Sequence, residues 1–336
     1  MTTELWIGLG LTVVAGTMAG NCMLPSKFVR RWSWENMWLV FTLVSLVVAP
    51  WFLTALTVRN LGALYSALPP SAFAAPFLFG FGWGIAQVLF GLSIARLGLA
   101  LGYSIIIGLG ALLGTLVPLL VQRPEVLGSA RGALILCGVA VMLAGIAVAG
   151  GAGRLRELAS GASQKNSTSV YGTALLIAIL CGIMAPMINF SLAFGQDIAA
   201  EAVRQGTAPA NAAYAVWPIG LTGGLIPNLA YSLYLLSKNR TWSKFRTALP
   251  DAWFPILMGV LWMGAVAVYG MAAVFLGALG TSVGWGLFQI FMIMTANLSG
   301  ILTGEWKEAQ PRARALLWAG LCLLAAATVI MALGNR

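Results

Sequence analysis

The chain has 336 residues, of which 60% are hydrophobic and only 8% charged, against roughly 25% charged in an ordinary soluble domain. No soluble core has room for that much apolar surface, so the composition excludes a globular cytosolic protein and defines a polytopic membrane protein. A net charge of +10 invites a nucleic-acid reading, but the Lys and Arg lie in short tracts between apolar runs, as membrane topology requires. No soluble face remains to carry a nucleic-acid patch.

A bilayer span takes about 20 apolar residues. Ten runs qualify: Leu5–Leu24, Met37–Val58, Ala74–Ala95, Leu99–Val121, Gly132–Gly150, Val170–Phe194, Ala212–Leu236, Trp253–Leu276, Thr281–Thr303 and Ala315–Leu333. The first lacks the basic flank and cleavage site of a signal peptide and is kept as a span. The polar stretch Arg154 to Ser169, with its Gly, Ser, Gln and Lys, reads as a hinge. It predicts a five-helix unit over 1–153, a linker over 154–169 and a second five-helix unit over 170–336.

The two units repeat one another. Pro76 to Gly98 reads PFLFGFGWGIAQVLFGLSIARLG, and Pro255 to Gly277 reads PILMGVLWMGAVAVYGMAAVFLG. They match at Pro76/Pro255, Gly80/Gly259, Trp83/Trp262, Gly91/Gly270 and Gly98/Gly277, and Phe90 meets Tyr269. Elsewhere Gly16, Met18 and Ala19 match Gly182, Met184 and Ala185. Pro50 matches Pro227, and Ala133, Leu134 and Gly138 match Ala315, Leu316 and Gly320. The matches are collinear, as a duplication demands.

Five spans is an odd number, so the second unit must enter the membrane from the opposite side. With the N-terminus outside, fourteen of the 19 Lys and Arg fall in inward loops, and the positive-inside rule puts that side in the cytoplasm and both termini in the periplasm. The predicted fold is therefore an all-α polytopic membrane protein of ten transmembrane helices in two inverted five-helix repeats. Such repeats characterise secondary transporters, which hold substrate near the bilayer midplane between the halves.

Polar side chains within a span are costly and tend to face a cavity. The polar candidates are Asn21, Gln87, Ser104, Asn189, Asn228, Gln289 and Asn297, beside the aromatics Trp83, Tyr103, Trp217, Trp262, Tyr269 and Trp285. Gln87 follows Trp83 by four residues and Gln289 follows Trp285 by four, so each pair shares a helix face. An aromatic plane beside an amide suits a small neutral sugar: the ring covers C–H bonds and the amide reads hydroxyls. The expected substrate-binding residues are Trp83, Gln87, Asn189, Trp262, Trp285, Gln289, Asn21 and Tyr269. Each has a plainer alternative, an interfacial Trp belt or an amide bonded to a neighbouring helix.

No acid falls in mid-span, which leaves Glu305 and Asp251 as the first candidates for ion coupling. There is no His, and Cys22, Cys137, Cys181 and Cys322 have no metal-ligand spacing. No metal site, resident cofactor or enzymatic acid–base centre is expected.

KFVRRWSWENMW (Lys27 to Trp38), FGFGWGI with GLSIARLGLALG (Phe79 to Gly102) and GEWKEAQPRAR (Gly304 to Arg314) carry a resemblance to the L-rhamnose–proton symporters of the drug/metabolite transporter superfamily. The resemblance implies ten helices in two inverted repeats, and import of L-rhamnose or a related deoxysugar across a bacterial inner membrane. The driving cation would be H+, with Na+ as the alternative, and alternating access the mechanism. The rival reading is a drug or metabolite exporter of the same superfamily.

Overall fold

The computed structural model describes residues 3–159 and 168–335. Among the described residues, ten helical segments are long and apolar enough to cross a membrane. They are α1 Thr3–Phe28, α2 Trp34–Thr57, α3 Ser71–Ile94, α4 Ala100–Gln122, α5 Ala130–Ala159, α6 Tyr171–Arg204, α7 Pro209–Lys238, α8 Leu249–Phe275, α9 Val283–Leu302 and α10 Pro311–Gly334. Helix is dictated by the solvent: hydrocarbon offers no partner for an open N–H or C=O, so each segment must satisfy its own backbone. The first residues of the expected linker are helical, because α5 continues to Ala159. Its last two begin the helix Thr168–Met184, and residues 160–167 lie outside the described residues.

Three spans are interrupted. In α1 the α-helix ends at Asn21 and a tighter 3-10 helix runs over Leu24–Phe28. In α2 a wide turn over Val44–Val48 precedes Pro50. In α6 the helix stops at Met184 and restarts at Met187, with Pro186 as the cap of the second piece. Proline supplies no N–H and crowds the preceding turn, which breaks the ladder there. The restart places Asn189 in the first turn of the second piece. Beyond it, the loop helix Gln196–Arg204 buries Ile198, Ala199 and Ala202 and exposes its charges.

Glycine sets how closely the spans approach. A Cβ on Gly80 would stand 1.8 Å from the Gly220 carbonyl oxygen, and one on Gly84 2.5 Å from that of Gly224, so α3 and α7 meet backbone to backbone. This is the small-residue packing that membrane helices use in place of a hydrophobic drive. Gly98 and Gly277, matched in the repeat, end α3 and follow α8 with φ of +84° and +72°, a conformation a side chain would strain.

Neighbour relations follow a pattern. α1 packs on α8 and α9, α6 packs on α3 and α4, and α5 packs on α10. Gly16 abuts Phe291 of α9 while Gly182 abuts Leu109 of α4; Gly138 abuts Met331 while Gly320 abuts Ala149. Trp83 and Trp262 stack on one another, 5.2 Å apart with planes 22° from parallel.

The tract Trp32 to Asn36 clamps two loops. The Asp251 carboxylate accepts the backbone N–H groups of Arg30, Arg31 and Trp32 at 3.2, 2.6 and 3.0 Å. Glu35, itself buried, accepts the Thr241 hydroxyl at 2.7 Å and the Asn239 amide at 3.2 Å. Lys244 donates to Ser33 Oγ at 2.6 Å, and the Trp32 indole donates to the Lys244 carbonyl. The loop between α1 and α2 is thereby fastened to the loop between α7 and α8.

Candidate functional site

The break in α6 frees the side chain of Asn189 to bridge three other segments. Its amide donates to the Gly114 carbonyl of α4 at 3.0 Å and to the Thr281 carbonyl before α9 at 2.7 Å. Its oxygen accepts the Tyr269 hydroxyl of α8 at 2.5 Å. Tyr269 stands edge-on to Trp285, 5.6 Å away, and the Trp285 indole donates to the Gly110 carbonyl at 3.0 Å. Gly114 has no room for a side chain, since a Cβ would lie 2.1 Å from the Trp285 nitrogen. All these side chains are buried, and together they form a sealed polar layer across α4, α6, α8 and α9.

A cavity lies on each side of the layer. At one end, a cavity of about 550 Å³ opens beside Gln122, Gln196, Gly270 and Thr281. At the other end, about 440 Å³ opens among α1, α3, α4, α5 and α9. Both fall within the ~300–1,000 Å³ of small-ligand sites. The second cavity gathers Asn21, Ser104 and Asn297, the aromatics Phe90, Tyr103 and Trp306, and the aliphatics Ile107, Ile146 and Ile293. Asn21 donates to the Thr17 carbonyl at 2.8 Å, while its Oδ1 is buried with no hydrogen-bond partner among the described residues. Ser104 and Asn297 donate back to their own helices, at 2.7 Å to Ala100 and 2.9 Å to Ile293, which leaves their oxygens free to accept.

Charge gathers at the mouth of this second cavity. Lys27 and Arg156 both pair with Glu305, Arg156 at 3.3 Å, and the Arg156 guanidinium lies 4.6 Å over the Trp306 ring. The hydrogen bond from Lys27 holds the Glu305 carboxyl below its ordinary range; partial burial opposes this and the charges of Lys27 and Arg156 reinforce it.

The eight expected binding residues thus separate. Asn189, Tyr269 and Trp285 form the layer, Trp83 and Trp262 stack on each other, and Asn21 lines the second cavity. Gln87 is half-buried on α3, and Gln289 is buried on α9, one turn beyond Trp285. Of the coupling candidates, Glu305 lines the cavity and Asp251 is engaged by three backbone N–H groups. Ser104, Asn297 and Tyr103 were visible as mid-span polar or aromatic residues, but only the fold brings them to Asn21. Nothing in the sequence marks Phe90 or Arg156 as cavity-lining.

Among the described residues, ten apolar spans, a sealed polar layer and a cavity at each end define the class, a membrane transporter. The chain belongs to the L-rhamnose-proton symport protein (RhaT) family, whose model matches residues 1–336. It is similar to the L-rhamnose-proton symporter of Cronobacter sakazakii, 30% identical over 99% of each chain. The symporters of Mannheimia succiniciproducens and Escherichia coli are each 28% identical over the same share.

Proposed function

We propose that this chain imports L-rhamnose, or a closely related deoxysugar, in symport with protons across a bacterial inner membrane, and that the 440 Å³ cavity is its sugar site. The observation that carries this reading is the cavity's lining: neutral acceptors on three helices, one of them the unpartnered Asn21 Oδ1, beside aromatic and aliphatic walls. A neutral polyol supplies the missing hydroxyl donors and lays its C–H faces on Phe90 and Tyr103. The names of the similar proteins point to the same substrate.

The architecture we infer is an inverted repeat of 1–153 and 170–336. Exchanging the halves turns the α1 contacts with α8 and α9 into the α6 contacts with α3 and α4, and α5 with α10 into itself. It also turns Gly138–Met331 into Gly320–Ala149. Equivalent residues that touch, as Trp83 and Trp262 do, must lie on the axis relating the halves. The end bearing Lys27, Arg156 and Glu305 is assigned to the cytoplasm from loop charge, which leaves both termini periplasmic and the sugar cavity facing inward.

Coupling is assigned to Glu305 ahead of Asp251, because only Glu305 borders the cavity. Pairing with Lys27 and Arg156 holds Glu305 deprotonated in this conformation, so the coupling proton reaches it only when the two cations let go, and once on Glu305 it keeps them from pairing across the mouth. The test is uptake of labelled L-rhamnose into proteoliposomes, with proton and sodium gradients imposed separately. The reading requires proton-driven uptake in the intact chain that no longer responds to the gradient in Glu305→Gln. Absence of L-rhamnose uptake under either gradient would overturn it.

A further inference from the structure

The sealed layer and the open cavity occupy corresponding places in the two halves. Continued along the chain, the Gly16/Gly182 match sets Met23 against Asn189, and the Pro76/Pro255 match sets Phe90 against Tyr269. Packing registers α4 with α9: Gly16 abuts Phe291 where Gly182 abuts Leu109. Leu109 therefore corresponds to Phe291, which sets Tyr103 against Trp285 and Gly114 against Ala296. Met23, Phe90, Tyr103 and Ala296 all line the 440 Å³ cavity. Even the ring contact recurs, Phe90 with Tyr103 at 6.1 Å and 76°, Tyr269 with Trp285 at 5.6 Å and 71°.

The polar chemistry does not recur. Asn189 donates two hydrogen bonds and accepts one, whereas a methionine at position 23 offers no N–H or O–H donor. Phe90 lacks the hydroxyl that Tyr269 gives to Asn189. Closing the layer end makes buried hydrogen bonds on Asn189, while closing the cavity end leaves Met23 and Phe90 with no side-chain donor to match it and only the Tyr103 hydroxyl among the four matched side chains.

We propose that this one-sided polar lock sets the resting orientation of the transporter: Asn189 and Tyr269 hold the layer end shut, so the unliganded chain rests with the Met23 end open. The proposal builds on the alternating-access reading above and gives Asn189 and Tyr269 a gating role in place of sugar contact. Two conformations of one chain differ by a small free energy, so a few one-sided bonds decide which is populated. Each net hydrogen bond removed from the lock shifts the ratio about five-fold.

The test makes the two ends alike. The full chain, in lipid nanodiscs with both faces exposed, carries a reporter cysteine at Ala273, which is buried one turn from Tyr269 where α8 lines the cavity beyond the layer, or at Ser299, which lines the cavity at the Met23 end. The readout is the labelling rate with a water-soluble maleimide above the background of the chain without a reporter. Tyr269→Phe, which copies Phe90, is the mild variant; Asn189→Met with Tyr269→Phe is the full one. The expected result is a rise at Ala273→Cys and a fall at Ser299→Cys, about five-fold for the mild variant and larger for the double. Met23→Asn with Phe90→Tyr, a lock built at the other end, should also move the ratio toward the Ala273 side. Unchanged rates, or a rise at both reporters from general loosening, would overturn the proposal. L-rhamnose added to the unmodified chain separates the two ideas: if sugar changes neither rate the transport reading fails, while the lock stands or falls on the variants alone.

Discussion

The two ends of the bundle are built from matched residues and differ in what those residues can bond. Where α6 meets α4 and α9, Asn189, Tyr269 and Trp285 close on backbone carbonyls with no room to spare. Where α1 meets α4 and α9, Met23, Phe90 and Tyr103 stand around an open cavity beside the unpartnered oxygen of Asn21. On the repeat we infer, the comparison teaches that a duplication would supply two gates of one shape, with substitution within one copy setting their relative strength. It also separates two roles a mid-span polar residue can take. At Asn189 both functions of the amide are consumed by protein, whereas at Asn21 one is left for a ligand.

The comparison can be broken or sharpened in several ways. The largest effect is expected at the clamp that joins the α1–α2 loop to the start of α8. Asp251→Ala would strand the N–H groups of Arg30, Arg31 and Trp32 and cost about 3 kcal/mol. Denaturation midpoints should fall while the ratio of labelling at the two ends stays put; a changed ratio would make Asp251 part of the gate. Gly114→Ala comes next. Its counterpart Ala296 already carries a methyl group, but at Gly114 a Cβ would meet the Trp285 indole at 2.1 Å, an overpacking of about 2 kcal/mol. The layer end should open and Ala273→Cys should label faster, whereas Ala296→Gly should leave it unchanged.

Smaller is the effect of Asn21→Ala, which removes one hydrogen bond to sugar and should raise the apparent KM for L-rhamnose about five-fold, with midpoint and gradient response unaltered. An unchanged KM would move the sugar elsewhere. The smallest effect concerns Glu305. Its folded-state pKa is depressed, chiefly by Lys27, so its pairing contributes fully above the ordinary value of 4.5. That contribution is lost only as pH falls through the lowered value. The pairs are partly exposed and screened, so their share of stability is slight. Midpoints should show no step from Glu305 at neutral pH, and a neutral-pH step absent in Glu305→Gln would contradict the pairing.

Much of the fold was legible in the sequence because lipid leaves the backbone few options. Each apolar run long enough to span became a span, but Val170–Phe194 was read as unbroken although Pro186 lies at the break in α6. The site was less legible, because a cavity is a property of several helices at once. Asn21, Ser104 and Asn297 lie on α1, α4 and α9, and no spacing along the chain reports that they converge. Trp83 and Trp262 were read as sugar-facing planes, and no spacing reports that they stack on each other. The Trp-Ser-Trp-Glu tract was legible only as a resemblance; its work, fastening two loops through Ser33, Glu35, Asn239 and Lys244, requires partners some 200 residues away.

The most direct test of the account is protection by sugar. With the Ser299→Cys reporter in the α9 wall of the Met23-end cavity, L-rhamnose should slow maleimide labelling saturably, and the protection should weaken in Asn21→Ala. If L-rhamnose protects Ala273→Cys alone, or protects neither reporter in a chain that still transports it, the sugar does not occupy the cavity assigned to it.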